Sequence, residues 1–451
     1  MARAAAGTKG VLRSILTNPM VWIWVGVWVA TRGLMLSDVG FWNQVSDLQL
    51  QDVDTYEVWS HYLATKHAIP GGEAWQYPPG AAFLMLVPRL GPGTFGESFV
   101  ALMLLVDLAG LGLLGLLGRR SGNYRGVWVW LLGMPLLGAL PMLRFDLVPA
   151  TIGVAALVVI HRRPRWFGAL VGLGASIKLW PIVLLFGEWN RRRLIRAVVA
   201  ALATLALVTM ISAIAFDDGA VFLDEQSGRG LQEEAVATAP WQLRELITGE
   251  VPQRAVRYGA WEIADNSADV VADLLTWLTL VALGVAAAWW WYRARAIRDG
   301  RTDLADAAVS RDFVFTVVLL LVVTSRVLSP QYMVWLLGLA AVVLTAGTTR
   351  LARPAWLVIG AAILTTSAFG SAENTLIRNL ALAAATVDAS IAMTRLVRHP
   401  LAQADAAPVD SDATRRRTAF PAEDPDAEQA TAEEAIARGQ PPVSPRVPSR
   451  G

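Results

Sequence analysis

The stretch Leu48-Gln-Leu-Gln-Asp52-Val-Asp54-Thr-Tyr56 continues through Trp59, His61 and Tyr62 and closes with Trp75-Gln76-Tyr77-Pro78-Pro79. It follows an apolar run, Pro19 to Leu36, long enough to cross a bilayer, and the chain turns apolar again after it. Two acids, a histidine and several aromatic rings are therefore expected in a watery loop against a membrane face. That loop ends at a Pro-Pro that no helix interior tolerates. A carboxylate at a membrane surface among aromatic rings suits a general base working on a polar headgroup substrate. The same residues also fit a loop of solvated acids with an interfacial Trp/Tyr belt.

The composition fits a membrane setting. Of 451 residues, 55% are hydrophobic, above the usual share of a soluble domain, and 19 Trp suit interfacial anchoring. The chain reads as an all-α polytopic membrane protein. Its net charge of +2 says nothing about partners, and nothing points to nucleic acid. The absence of Cys removes disulfides, thiolate metal sites and Cys nucleophiles together. The four His share no metal-binding spacing. Lysine occurs only as Lys9, Lys66 and Lys178, and the other cationic side chains are Arg. The N-terminus shows no cleavable signal pattern, since the first apolar run continues as a full span.

Apolar runs fall near 19–36, 97–118, 126–143, 146–160, 194–215, 270–292, 312–328, 331–347, 354–370 and 375–396. Arginine clusters at 119–125, 162–165, 191–196, 293–311 and 350–353 mark the cytoplasmic turns. The other side then receives the Asp52 loop, the short link Arg144-Phe145-Asp146, the acidic loop Asp217 to Asp269, and the turn from Arg326 to Tyr332. Both termini are expected in the cytoplasm. Residues 1–18 form a cytoplasmic segment, 19–398 the membrane domain, and 399–451 a disordered cytoplasmic tail poor in large apolar residues.

One segment breaks the pattern. Trp166 to Trp189 has Arg clusters at both ends, so it must leave the cytoplasmic side and return. Each arm has only about ten residues, half a span. The short hairpin places Lys178 and Pro181 at its tip, inside the protein. An intramembrane lysine faces an anion by default, or else snorkels to the headgroups. Asp107, Asp273 and Asp388 also lie within spans; such acids can form a proton relay, and the preferred reading here is structural pairing with Arg32, Arg326 or Arg378. In the long loop, Ser227-Gly-Arg229-Gly supplies backbone N–H groups and a guanidinium, a cradle for phosphate or sugar hydroxyls.

Six motifs appear in order: Asp52-x-x-x-Tyr56, Tyr77-Pro78-Pro79, Arg144-Phe-Asp146, Lys178-x-x-Pro181, Gly228-Arg229-Gly-Leu-Gln-x-Glu234 and Ser329-Pro330-Gln331-Tyr332-x-x-Trp335. Together, from about Pro19 to Arg398, they resemble glycosyltransferase family 87, multispanning enzymes of the GT-C type. That family contains polyprenyl-phosphate-mannose-dependent α-mannosyltransferases of the bacterial cell envelope. The resemblance implies a bundle of about twelve helices with one short hairpin and a large first external loop. It implies a general base at Asp52, with Asp54 as the alternative; the spacing to Tyr56 favours Asp52. Lys178, Arg144, Arg229 and Arg326 are implied at the donor phosphate. Tyr56, Tyr77, Asp146, Glu234, Gln331 and Tyr332 are implied around the substrates. Gln76 departs from the pattern, because relatives often carry an acid before Tyr-Pro-Pro.

The chemistry stands beside the resemblance. A sugar on a polyprenyl phosphate already has a good leaving group, so no nucleotide fold is required. The enzyme must deprotonate an acceptor hydroxyl on a glycolipid or polysaccharide, hold the phosphate and exclude water. No cofactor is expected, although a divalent metal stays open. The rival reading, a carrier or flippase of an anionic lipid, expects paired broken helices in two repeats. The sequence shows one hairpin only.

Overall fold

A chain in hydrocarbon has no water to satisfy its backbone, so its N–H and C=O groups pair within helices. The computed structural model of the protein describes residues 17–37, 47–71, 75–217, 229–257, 259–366 and 371–398. The expected tail, the first dozen residues, and Ser227 and Gly228 of the loop motif lie outside the described residues. In chain order the first helices are α1 (Pro19–Met35), α2 (Asp47–Lys66), α3 (Gly80–Leu86), α4 (Phe95–Ser121), α5 (Arg125–Gly133), α6 (Leu140–Leu143), α7 (Leu147–Val159) and α8 (Pro164–Ile177). There follow α9 (Arg191–Ala215), α10 (Ala239–Thr248), α11 (Asn266–Arg298), α12 (Ala307–Thr324), α13 (Tyr332–Thr345), α14 (Ala352–Thr365) and α15 (Ala372–Arg398). Among the described residues, α4, α9, α11, α12 and α15 are long and apolar enough to cross a membrane. The protein is a multi-pass, helical membrane protein, as expected.

Three details differ from the sequence reading. The segment around Asp52 is a helix, α2, rather than a watery loop. Val53, Tyr56, Ser60 and Leu63 recur at helical spacing and are all buried. The run 126–143 is no single span. Pro135 removes a donor, and a 3₁₀ turn over Met134–Leu137 follows α5. Gly138 then takes a positive φ of 59° before the one-turn helix α6. Finally, the long loop contains a small antiparallel pair, Arg254–Arg257 with Ala260–Ile263.

The short hairpin is present. Its first arm is α8 and its second a 3₁₀ coil, Trp180–Gly187, started by Pro181. The arm is seated by close backbone approach: a Cβ on Gly168 or Gly172 would meet the backbone of Ala197 or Ala201 in α9. This is the small-residue packing that lets membrane helices touch without a hydrophobic drive. The polarity of α7, α8, α12 and α13 puts Asp146, Lys178, Arg326 and Tyr332 at one end of these helices. Arg162, Arg163 and the Arg191 to Arg193 cluster fall at the other. Helix α13 runs through the middle, with every residue from Met333 to Thr345 buried.

The acids read as structural partners divide. Asp107 receives Arg32 through Nε at 2.8 Å and Nη2 at 2.9 Å, and Trp28 Nε1 at 2.5 Å. Arg32 also donates to the carbonyls of Leu131 and Trp130, so every strand of this buried knot is tied. Asp388 instead meets Arg353 at 3.4 Å, and Asp273 is exposed. Removing one partner of a buried pair leaves an uncompensated charge. Asp107→Ala is therefore expected to cost about 3–5 kcal/mol, and Arg32→Met with Asp107→Leu to recover most of it. Thermal unfolding of the purified variants in detergent reads this; an unchanged midpoint for Asp107→Ala refutes the role.

Candidate active site

The site grows from the turn between α6 and α7. Arg144 closes α6 in extended backbone (φ −125°, ψ 133°), and Asp146 opens α7. Asp is a favoured N-cap, yet Asp146 makes no side-chain cap bond to its own helix. Its carboxylate, 1% exposed, is used elsewhere: Lys178 Nζ donates to it at 2.5 Å and Trp335 Nε1 at 2.9 Å. Two donors from two other helices thus converge on one buried oxygen, Oδ1.

Arg144 points to α2. Its guanidinium pairs with Asp52 and bonds the Tyr56 hydroxyl. Asp52 and Tyr56 stand four residues apart, so one helical face presents both. Asp54, two residues on, is exposed on another face. Burial pushes the Asp52 carboxyl above the usual carboxylate range, and Arg144 works against that rise. Tyr56 itself is buried against Phe99 and Phe145, with ring centroids at 5.4 Å in each case.

Lys178 ends α8 and hangs among rings. Its Nζ lies 5.1 Å from the Trp335 centroid, 5.3 Å from Phe145, 5.4 Å from Tyr332 and 5.6 Å from Tyr77. Ring faces attract a cation electrostatically, the more so where water is displaced. Tyr332, Trp335 and Trp180 form a stack, at 3.9 Å and 5.2 Å between centroids. Tyr77 reaches the cage because Gly80, opening α3, packs directly on Ser176 at the end of α8; any Cβ there would collide with the Ser176 backbone.

A third side comes from the long loop. The charge of Arg229 acts on Tyr77, Lys178 and Tyr332. Arg326 Nη1 donates to the Arg229 carbonyl at 2.8 Å, and Gln232 N donates back to the Arg326 carbonyl at 2.9 Å. Gln232 Nε2 donates to Ser329 Oγ at 3.2 Å. Arg326 therefore holds the Arg229 backbone in place. Gln331 is buried at the start of α13, next to Tyr332. Glu234 is not brought to this cluster: its carboxylate accepts Arg378 Nη1 of α15 at 2.5 Å.

The profile of glycosyltransferase family 87 matches residues 75–310. The chain belongs to that family. The match begins at Trp75, beyond Asp52, and takes in Tyr77, Arg144, Asp146, Lys178, Arg229 and Glu234. Two crystal structures are similar to the chain, both of ArnT from Cupriavidus metallidurans. The one bound to undecaprenyl phosphate is 14% identical, with a TM-score of 0.44, over 84% of this chain and 77% of the other. The apo one is 14% identical, with a TM-score of 0.43, over 87% and 78%. No curated protein matches. Membership of family 87 makes this a membrane glycosyltransferase and leaves no place for the carrier reading.

In this family 87 chain the site thus unites Asp52, Tyr56, Tyr77, Arg144, Asp146, Lys178, Arg229 and Tyr332. Three cations, Arg144, Lys178 and Arg229, and two carboxylates, Asp52 and Asp146, are among them. Among the described residues, no three His, Asp or Glu side chains gather as a metal group would require. Sequence reading assigned no role to Phe145 and Trp335, two of the four rings about Lys178, although both lie inside motifs it quoted. The tight contact at Gly80 gives a test. Gly80→Ala should displace the Tyr77 segment and lower glycosyl transfer at least about tenfold, whereas Gly112→Ala, whose Cβ meets nothing, should be silent. Equal activities refute this positioning of Tyr77.

Proposed function

We propose that the protein transfers a sugar, most simply mannose, from a polyprenyl-phosphate donor to a hydroxyl of a cell-envelope glycolipid or polysaccharide. The observation that carries this reading is the pairing of one accessible carboxylate with several cations at the polar end of a family 87 helix bundle. Asp52 takes the proton of the acceptor hydroxyl as its oxygen attacks the anomeric carbon. Lys178, Arg144 and Arg229 hold the phosphate, whose bridging bond breaks as the new bond forms. Arg326 positions Arg229 through its carbonyl. Tyr77 and Tyr332 wall the donor, Tyr56 orients Arg144, and Gln331 edges the acceptor path. A single displacement inverts the anomeric centre. Asp146 fixes Lys178 rather than touching the sugar, and Glu234 braces the long loop through Arg378. This end lies opposite the arginine clusters, which supports an external active site and cytoplasmic termini.

The test is direct transfer. Purified protein in lipid vesicles, supplied with radiolabelled polyprenyl-phosphate mannose and extracted envelope glycolipids, should yield labelled glycolipid. Polyprenyl-phosphate arabinofuranose serves as the competing donor; preference for it revises the sugar and keeps the reaction. Asp52→Asn should lower turnover about 10²–10⁴-fold, while Asp54→Asn stays near wild type. A dead Asp54→Asn beside an active Asp52→Asn reverses the assignment.

The pH dependence follows from the direction of the Asp52 shift. A base works only when deprotonated, and burial raises the carboxyl. Transfer is therefore present at neutral pH and lost as pH falls through that raised value. The acid limb should lie above the pKa of about 3.9 of a free Asp. A limb at or below that value contradicts the role of Asp52.

A further inference from the structure

The two ion pairs of the site are built differently. Asp146 is 1% exposed and its Oδ1 receives two donors, from Lys178 and Trp335. Four rings then surround Lys178. In that arrangement the carboxylate is buried and the lysine already engaged, with side chains 1% and 12% exposed. The Asp52–Arg144 pair is more open, with side chains 26% and 16% exposed, and Arg144 is the only cation salt-bridged to Asp52 among the described residues. Arg144 Nε is buried and finds no hydrogen-bond partner among the described residues. Arg144 thus keeps a spare donor.

Glycosyl transfer moves charge through this region in a fixed pattern. A polyprenyl-phosphate sugar is a phosphodiester with one negative charge. When the bond from the anomeric carbon to the phosphate oxygen breaks, its electron pair stays on that oxygen. The phosphate becomes a monoester of about −1.5 to −2 at neutral pH. In the same displacement the acceptor O–H proton passes to Asp52, and the carboxylate becomes a neutral acid. One anion disappears from beside Arg144 as another grows in the same cluster.

Resting on the donor reading above, we propose that Arg144 is a shared counter-ion, handed from Asp52 to the leaving phosphate during the reaction. Before transfer Arg144 neutralises the base. As Asp52 takes the proton, the guanidinium loses its partner and turns its free N–H groups to the phosphate. Proton abstraction and departure of the leaving group are thereby coupled through one side chain. Lys178, locked on Asp146, supplies a constant field throughout.

Asp52→Asn freezes the neutral, product-side state, so it should change ligand affinity in a way that depends on phosphate charge. The probes are a polyprenyl monophosphate and its methyl phosphodiester, titrated calorimetrically into purified full-length protein in detergent at pH 7.5. Asp52→Asn should bind the monoester about tenfold more tightly than wild type, as a new charge-assisted bond would give. The diester should gain less than about threefold. Adding Arg144→Gln should erase the monoester gain, and Asp54→Asn, which removes the same charge nearby, should reproduce none of it. Retained circular dichroism checks that each variant is folded. Equal gains for the two probes, or a gain that survives Arg144→Gln, overturn the handover alone. Failure of wild type to bind either probe overturns the donor reading and the handover with it.

Discussion

The Arg144-Phe145-Asp146 turn must hold a cation and an anion two residues apart, each matched by an opposite charge from another helix. Left unpaired in a low-dielectric interior, either charge is strongly unfavourable. Matching them requires α2 to bring Asp52, α8 to bring Lys178 and α13 to bring Trp335 to one place. The rest of the bundle can be understood as the means of holding these three elements there. Gly168 and Gly172 seat α8 against α9, Gly80 seats α3 on α8, and the buried length of α13 fixes Trp335. The polar cluster specifies the arrangement, and small residues in the apolar layer permit it.

Electrostatics also separates two kinds of ion pair in this chain. Arg32–Asp107 is closed on every side by hydrogen bonds to Trp28 and to two carbonyls. It ties α1 to α4 and α5 and has no atoms left for chemistry. The site pairs stand at a helix end beside ring faces, and in one of them a donor remains unspent. Buried charge alone therefore does not mark the site. What marks it is buried charge gathered at a helix end beside ring faces, with a donor of Arg144 left unspent.

Much of this was legible in the sequence. Hydropathy gave the helical membrane class, and the Arg clusters bounding a segment too short to cross twice gave the hairpin with Lys178 at its tip. The resemblance to family 87, with its Tyr four residues after the acid, favoured Asp52 over Asp54, and in α2 Asp52 meets Arg144 while Asp54 is exposed. The helix at α2 was missed because its mean hydropathy is near zero, while its buried face, Val53, Tyr56, Ser60 and Leu63, mixes apolar and polar side chains. The pairings of Asp52 with Arg144 and Lys178 with Asp146 join residues far apart in sequence, and no local pattern encodes a partner. Glu234 shows the same gap. Its position in a motif suggested substrate, but Arg378, more than a hundred residues on, already occupies it.

The aromatic enclosure of Lys178 has a practical side. An amine bonded to a carboxylate and walled by four rings is hard to reach. Lys66, at the end of α2, is exposed. Amine-directed dyes, crosslinkers and solid supports will therefore reach Lys66 and spare the lysine at the site. In a chain with only three lysines and no cysteine, such reagents can mark the enzyme without touching its site.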